Sequence, residues 1–192
     1  MMRLFVAVDF APSVLAAASA LIEALRARAL TLAPRARVTW IPAERLHLTV
    51  RFIGNADDAL SAAIGVALAS PLTVPAFDLT VRGLGAFPAG GKPQVLWAAV
   101  EAGMSQLQAV EREVTERLDR LDIPPERRPY NPHLTLARVR EAAGLRTKPL
   151  FAGLEATSLG TTRIETITLY ESRLSPHGPT YCGLQRIALQ ER

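Results

Sequence analysis

The chain has 192 residues, of which 49% are hydrophobic, so one domain or two small lobes can fold around a core without covalent cross-links. Its one cysteine, Cys182, excludes an internal disulfide framework and is typical of a reducing cytoplasm. No apolar run reaches the roughly 18 residues of a membrane span, and no N-terminal targeting segment is visible. The net charge of +4 is compatible with a polyanionic partner. We therefore expect a cytoplasmic protein without membrane association, and a monomer, because no coiled coil or strongly apolar surface helix stands out.

The first half of the sequence predicts four strands and two helices. Apolar periodicity and turn residues predict, in chain order, a strand over 3–9, an amphipathic helix within 11–30, a strand over 36–41, a strand over 46–53, a helix from Asp57 or Asp58 to about 69, and a strand over 77–83. The glycines and proline of 83–91 then predict a long turn-rich segment, which lacks the Lys-Ser/Thr ending of a nucleotide-binding loop.

The second half again begins with a strand, a helix and a strand. The same reasoning predicts a strand over 94–101, a helix over 105–121, a strand over 133–139, a short helix over 141–145, and closing strands over 162–171 and 180–189. In the helix, an apolar stripe at helical spacing predicts one buried face: Leu107, Val110, Val114, Leu118 and Leu121.

Two near-identical tetrapeptides hold two of the three histidines: His47-Leu48-Thr49-Val50 and His133-Leu134-Thr135-Leu136. Side chains alternate between the two faces of a strand, so each histidine shares a face with the threonine two residues later. The leucines and valine of the other face suit a core. Two imidazoles and two hydroxyls that face each other across a groove could carry out general acid–base chemistry on a phosphate.

The spacing of these motifs indicates an internal duplication. The two histidines are 86 residues apart, close to half the chain, and each motif strand follows a strand and a helix. We therefore predict a single bilobal domain over 1–192, with pseudo-repeats at about 3–90 and 92–189. The expected fold is α+β, with antiparallel sheets around a central groove, a pseudo-twofold relation between the lobes, and helices outside.

Four segments carry a resemblance to a known family: residues 4–9, 46–54, 132–138 and 170–172. Together they resemble the bacterial and archaeal RNA 2′,3′-cyclic phosphodiesterases of the 2H phosphoesterase superfamily, first named 2′-5′ RNA ligases. The resemblance implies hydrolysis of RNA 2′,3′-cyclic phosphate ends to 2′-phosphomonoesters, reversible ATP-independent 2′-5′ joining of RNA ends, and a mechanism without metal or other cofactor.

The resemblance also implies roles for individual residues. His47 would donate a proton to the departing oxygen, and His133 would be the base for water. The hydroxyls of Thr49 and Thr135 would donate hydrogen bonds to the phosphate oxygens, held by the restricted χ1 of a β-branched side chain. Arg138 would contact the phosphate, although strict alternation puts it opposite His133 unless the strand ends or twists near residue 137.

Other residues are weaker candidates. Arg51 shares the face of His47 under regular alternation, and Tyr130 is a candidate for stacking on a nucleobase. His177 is interpreted as a surface-loop residue, because prolines and a glycine surround it.

The sequence leaves alternatives open for the chemistry and the substrate. A metal site would have to recruit carboxylates such as Asp9, Glu44 or Asp57 to the histidines. Physiological 2′-5′ ligation and a non-catalytic nucleotide-binding module are the rival functions. Among substrates, RNA ends such as those of tRNA fragments, small cyclic nucleotides and general RNA repair intermediates all remain.

Overall fold

The computed structural model describes residues 1–124, 126, 129–175 and 178–191, so His177 lies outside the described residues. Within these ranges the chain forms nine strands, four α-helices and one short 3-10 helix over Ala43–Arg45. The strands are β1 (Met2–Val8), β2 (Arg37–Trp40), β3 (Leu48–Ala56), β4 (Phe77–Phe87), β5 (Val95–Ala102), β6 (His133–Glu141), β7 (Ser158–Ile164), β8 (Thr166–Ser175) and β9 (Gly178–Ala188). The helices are α1 (Pro12–Leu32), α2 (Asp58–Ala67), α3 (Met104–Asp119) and α4 (Thr147–Phe151).

The described strands form two sheets, with strand orders β3-β1-β8-β9 and β2-β6-β5-β4-β7. Every pair of neighbouring strands within them is antiparallel. The predicted α+β class with antiparallel sheets is therefore confirmed. Each sheet takes strands from both halves of the chain, so the sheets do not coincide with the repeats at 3–90 and 92–189.

The two helices that follow the central strands each cross to the other sheet. Strand β1 lies in the first sheet, but α1 packs against β7 of the second; β5 lies in the second sheet, but α3 packs against β3 of the first. The predicted buried face of α3 is confirmed for Leu107, Val110, Val114 and Leu118, and Leu121 is partly buried. This exchange joins the two sheets into one hydrophobic core.

The motif strands lie where the two sheets adjoin. Strand β3 is one end of the first sheet, β6 is the second strand of the other, and the two contact each other. None of the helices in the described part of the chain combines the length and the hydropathy that a membrane crossing requires.

Three predicted segments were wrong. Strand β4 continues through Gly83 and Gly85 as far as Phe87. Residue 85 is a glycine because a side chain there would collide with the Trp97 ring on β5. The helix over 141–145 does not form, because Ala143 and Gly144 have left-handed backbone conformations (φ 39° and 92°), and the short helix begins at Thr147. The strand over 162–171 is two strands, β7 and β8, separated at Glu165.

Candidate active site

Both motif histidines are held by the same backbone contact. The Nδ1 atom of His47 lies 2.8 Å from the carbonyl oxygen of Arg45, and that of His133 lies 2.7 Å from the carbonyl oxygen of Asn131. A carbonyl oxygen only accepts hydrogen bonds, so Nδ1 carries the proton in both rings. The neutral tautomer then leaves Nε2 with a free lone pair, which is the state required of a proton acceptor.

Aromatic rings surround both imidazoles. The His47 ring centroid lies 5.0 Å from that of Phe5 and 5.0 Å, edge-on, from that of Tyr181. The His133 centroid lies 5.1 Å, also edge-on, from Phe87 and 6.1 Å from Trp97. Burial among these rings lowers the pKa of both histidines, because removal from water disfavours the charged form.

A β-bulge in β6 brings Arg138 to the face of His133 and Thr135. On β5, Leu96 pairs with Ala137 and the next residue pairs with Thr135, so Leu136 is the extra residue of β6. Leu136 and Ala137 are therefore buried in succession, and Arg138 is exposed on the motif face. This is the departure from strict alternation that the predicted phosphate contact required.

A matching bulge in β3 has the opposite consequence for Arg51. Val6 of β1 pairs with Arg51 and Ala7 pairs with Thr49, so Val50 is the extra residue of β3. Val50 and Arg51 therefore both face the core, and the next residue, Phe52, returns to the face of Thr49. Arg51 is 1% exposed, and its Nη2 donates a 2.7 Å hydrogen bond to the carbonyl oxygen of Pro124. The prediction that Arg51 shares the face of His47 was wrong, because it assumed a strand without a bulge.

One cavity of about 330 Å³ collects residues from both sheets. Its lining includes His47, Thr49, Arg138, Arg3, Phe52 and Tyr181. Arg138 comes from β6, so the second motif strand contributes to the cavity of the first motif. The positive charge of Arg138 also contributes to the lowered pKa of both His47 and His133. His133 and Thr135 are not among the described residues that line this cavity.

Thr135 pairs with Trp97 across β5 and β6 and is partly exposed on the His133 side of the strand.

A carboxylate distinguishes the two histidines. Asp9 accepts hydrogen bonds from the hydroxyls of Thr168 (3.0 Å) and Tyr170 (2.6 Å). Its charge raises the pKa of His47 and so opposes the larger effect of burial. For His133, burial and Arg138 lower the pKa, the Asn131 hydrogen bond raises it, and no described carboxylate contributes.

Tyr130 links the two motifs. Its hydroxyl donates a 3.2 Å hydrogen bond to the backbone oxygen of Thr49, and its ring packs against the hydrophobic core. Burial raises its pKa well above the usual value, so the hydroxyl stays protonated. Tyr130 is not part of the cavity lining around His47. Its predicted role in base stacking stays a prediction, and the contact observed is one that connects the segment before His133 to the first motif.

Two of the three carboxylates considered for a metal site, Asp57 and Asp9, have other partners. Asp57 caps α2 by accepting a hydrogen bond from the backbone nitrogen of Leu60, and Asp9 is bonded to two hydroxyls. Among the residues that the structure describes, no three His, Cys, Asp or Glu side chains come together as metal ligands.

Seven residues of the cavity lining were not identified as site residues from the sequence: Arg3, Phe5, Phe52, Ser172, Leu174, Pro179 and Tyr181. The alternation of β1 puts Arg3 and Phe5 on one face. Phe52 follows His47 by five residues, and Arg138 follows His133 by the same five residues. That equivalence could have identified Phe52 if the bulges had been known.

Two antiparallel sheets that each carry one His-x-Thr motif define the class of two-histidine phosphoesterases. The chain belongs to the 2′-5′ RNA ligase superfamily, whose family model matches residues 12–175. The RNA 2′,3′-cyclic phosphodiesterase of Aeropyrum pernix is 34% identical over 145 residues, which cover 75% of this chain and 82% of the relative. That of Thermus thermophilus is 36% identical over 157 residues, or 78% of this chain and 75% of the relative.

Solved structures agree with this assignment. The Thermus thermophilus protein TT0787 superposes with a TM-score of 0.69 at 30% identity, over 99% of both chains. Escherichia coli LigT, crystallised with 3′-AMP, has a TM-score of 0.72 over 98% of both chains; at 24% identity this likeness shows the fold.

Proposed function

We propose that the protein hydrolyses the 2′,3′-cyclic phosphate at an RNA end to a 2′-phosphomonoester. The observation that carries the proposal is the matched pair of imidazoles, each with Nδ1 bonded to a carbonyl and Nε2 left for chemistry, near one shared arginine. The family and the names of the two relatives support the same reaction.

The opening of the ring needs one proton acceptor and one proton donor. Water attacks phosphorus while the 3′ oxygen leaves on the opposite side. His133 Nε2 takes a proton from the water, and His47 gives a proton from Nε2 to the 3′ oxygen, which becomes a hydroxyl. One proton is gained by one histidine and one is lost by the other, so exchange with solvent restores both. Each positioned proton-transfer group contributes about 10²- to 10⁴-fold to the rate.

The surroundings of the two rings suit these separate roles. Burial and Arg138 keep His133 neutral, as a base must be. His47 must be an imidazolium when the substrate is bound, and both the Asp9 carboxylate and the negative charge of the incoming phosphate favour that form. The residues therefore support the assignment of donor to His47 and acceptor to His133.

Three side chains are proposed to bind the phosphate. The hydroxyls of Thr49 and Thr135 donate to the non-bridging oxygens, and the Arg138 guanidinium stabilises the charge that grows on them in the transition state. We also propose that one chain is the working unit, because a single chain supplies both motifs, and that it acts in the cytoplasm on RNA ends such as those of tRNA fragments.

The test is a turnover assay on a short RNA that ends in a 2′,3′-cyclic phosphate, with chromatography to separate the products. We expect the 2′-phosphate, formed at the same rate with and without EDTA. Formation of the 3′-phosphate, or no turnover, would contradict the proposal. A 5′-hydroxyl RNA added to a parallel reaction reports any 2′-5′ joining.

A further inference from the structure

A second cavity, of about 460 Å³, lies on the first sheet outside the candidate active site. Strands β8 and β9 supply most of its lining, and Asp9, which follows β1, completes it. None of its lining residues lines the cavity of His47. The chemistry proposed above therefore leaves this second cavity without a role.

A bulge in β9 shapes the second cavity. The pairing of β8 with β9 shifts its register after Leu169, which leaves Leu184 as an extra residue beside Gly183. A side chain at position 183 would contact the methyl group of Thr168 at 3.4 Å and the ring of Tyr170 at 3.7 Å. Both of these residues line the cavity, so a glycine at position 183 keeps its floor clear.

Aromatic rings connect the second cavity to the first motif. The Phe5 ring stacks on that of Tyr170, with 5.3 Å between the centroids and 19° between the planes, and it also lies 5.0 Å from the His47 ring. The Tyr170 and His47 rings are therefore at most about 10 Å apart, the sum of these two distances. Neighbouring nucleotides of one strand can bridge such a distance, so a strand that ends at His47 can reach the second cavity with its next nucleotide.

The second cavity offers one anionic acceptor and one cationic donor. The two carboxylate oxygens of Asp9 each accept one hydrogen bond, from the hydroxyls of Thr168 and Tyr170, and each keeps a further lone pair. Arg186 donates from Nη2 to the hydroxyl oxygen of Thr166 at 3.1 Å, and none of the ion pairs in the described part of the chain involves it. The remaining N–H groups of its guanidinium can therefore bind an anion.

We propose that the second cavity is the subsite for the nucleotide that precedes the terminal one in the RNA strand. The Arg186 guanidinium binds the phosphate that joins the two nucleotides, and Asp9 accepts a hydrogen bond from the 2′-hydroxyl of the preceding ribose. These two groups are borne by adjacent carbons of that ribose, so a cation and a carboxylate that face one cavity match them.

This subsite would distinguish between classes of substrate. A DNA strand lacks the 2′-hydroxyl, and a mononucleotide lacks both the joining phosphate and the preceding ribose. The inference rests on the proposed function, because it requires the cyclic phosphate at His47. It narrows the substrate from any 2′,3′-cyclic nucleotide to the end of an RNA strand.

The experiment compares three substrates that share the same reacting end. They are adenosine 2′,3′-cyclic phosphate, the dinucleotide ApA with a 2′,3′-cyclic phosphate at its 3′ end, and the same dinucleotide with 2′-deoxyadenosine as its first nucleoside. In the wild-type protein we expect kcat/KM for the RNA dinucleotide to exceed that for the mononucleotide about 30-fold. It should exceed that for the deoxy dinucleotide about fivefold, through the hydrogen bond to Asp9.

Arg186→Gln separates the two contacts. It should reduce the advantage of the RNA dinucleotide over the mononucleotide to about fivefold and keep the preference for ribose over deoxyribose, because Asp9 remains. Arg26→Gln, on the surface of α1 and outside the cavity, is the matched control and should keep the wild-type ratios. Equal kcat/KM for all three substrates in the wild-type protein, or an equal loss on all three in Arg186→Gln, would overturn the subsite.

Failure of the proposed function would look different. If the wild-type protein hydrolyses none of the three compounds, the subsite is tested by calorimetric binding of ApA with a terminal 2′-phosphate against adenosine 2′-phosphate. Tighter binding of the dinucleotide, lost in Arg186→Gln, supports the subsite. Equal binding of the two by the wild-type protein overturns it.

Discussion

Arg138 lies on β6 of the second sheet, yet it lines the same cavity as His47, which precedes β3 of the first sheet. A single extra residue at Leu136 produces this arrangement, because it reverses the alternation of the strand just before Arg138. The guanidinium therefore lines the cavity of His47, and its positive charge lowers the pKa of both imidazoles. The two halves of the proposed chemistry are electrostatically linked through it.

Replacing Arg138 should change the pH dependence as well as the rate. A nearby cation disfavours an imidazolium, so Arg138→Gln should raise the pKa of both histidines and move both limbs of the kcat/KM profile to higher pH. Loss of the phosphate contact should lower kcat/KM about 100-fold. Arg26→Gln, on the surface of α1, is the control. Limbs that stay in place in Arg138→Gln would show that the charge does not act on the rings.

Asp9→Asn should affect one histidine alone. Because the carboxylate raises the pKa of His47, its removal should lower that pKa and move the alkaline limb, which reports loss of the acid, to lower pH. The acidic limb, which reports His133, should stay. The asparagine Oδ1 can still accept from Thr168 or Tyr170, so the fold should be kept. NMR titration of the histidine rings measures the same shift directly, with Asp78→Asn as a surface control; a shift of His133 instead would contradict the assignment.

Tyr130→Phe should separate positioning from base binding. The variant keeps the ring and loses the hydrogen bond to the Thr49 backbone, so kcat should fall several-fold while KM for the RNA end stays nearly constant. The free energy of unfolding should fall by about 1 kcal/mol. Steady-state kinetics and urea titration give both values. If Tyr130 instead acts as a stacking platform, Tyr130→Phe will retain full kcat and Tyr130→Ala will raise KM.

Arg51 should prove structural. Within the described residues, two of its three guanidinium nitrogens have no hydrogen-bond partner, so its burial is costly. Arg51→Met fills the same space without charge, and we expect unchanged activity with equal or higher stability. Arg51→Ala should lose about 3 kcal/mol of unfolding free energy, because it leaves a cavity. Denaturant unfolding of both variants measures these changes. A large loss of kcat in a stably folded Arg51→Met protein would contradict a purely structural role for Arg51.

The sequence predicted the two motif strands and their faces because His-x-Thr followed by apolar residues has an unambiguous period of two. It could not predict the exchange of strands between the sheets, since apolar patterning in β8 or β9 says nothing about which partner strand is chosen. The missed strand at Gly85 has the same cause. A glycine by itself favours a turn, and glycine is needed here only because the Trp97 ring of the neighbouring strand leaves no room for a side chain.

In the active site, too, some features follow from local sequence and others depend on strand pairing. His47 and His133 could be identified from their repeated context, but the bulges depend on register with β1 and β5, which the motif strands do not encode. Regular alternation therefore misplaced Arg51, and the phosphate contact predicted for Arg138 came from the family resemblance, against that alternation. The contact of Tyr130 with Thr49 joins positions 81 residues apart, and no local pattern carries it.

The central claim is that two imidazoles each carry out one of the two proton transfers of the reaction. The most direct measurement is the kcat for a 2′,3′-cyclic phosphate RNA end in His47→Ala and His133→Ala. Each variant should lose at least about 100-fold in kcat while circular dichroism shows an intact fold. A folded His133→Ala protein with the wild-type kcat would contradict the account.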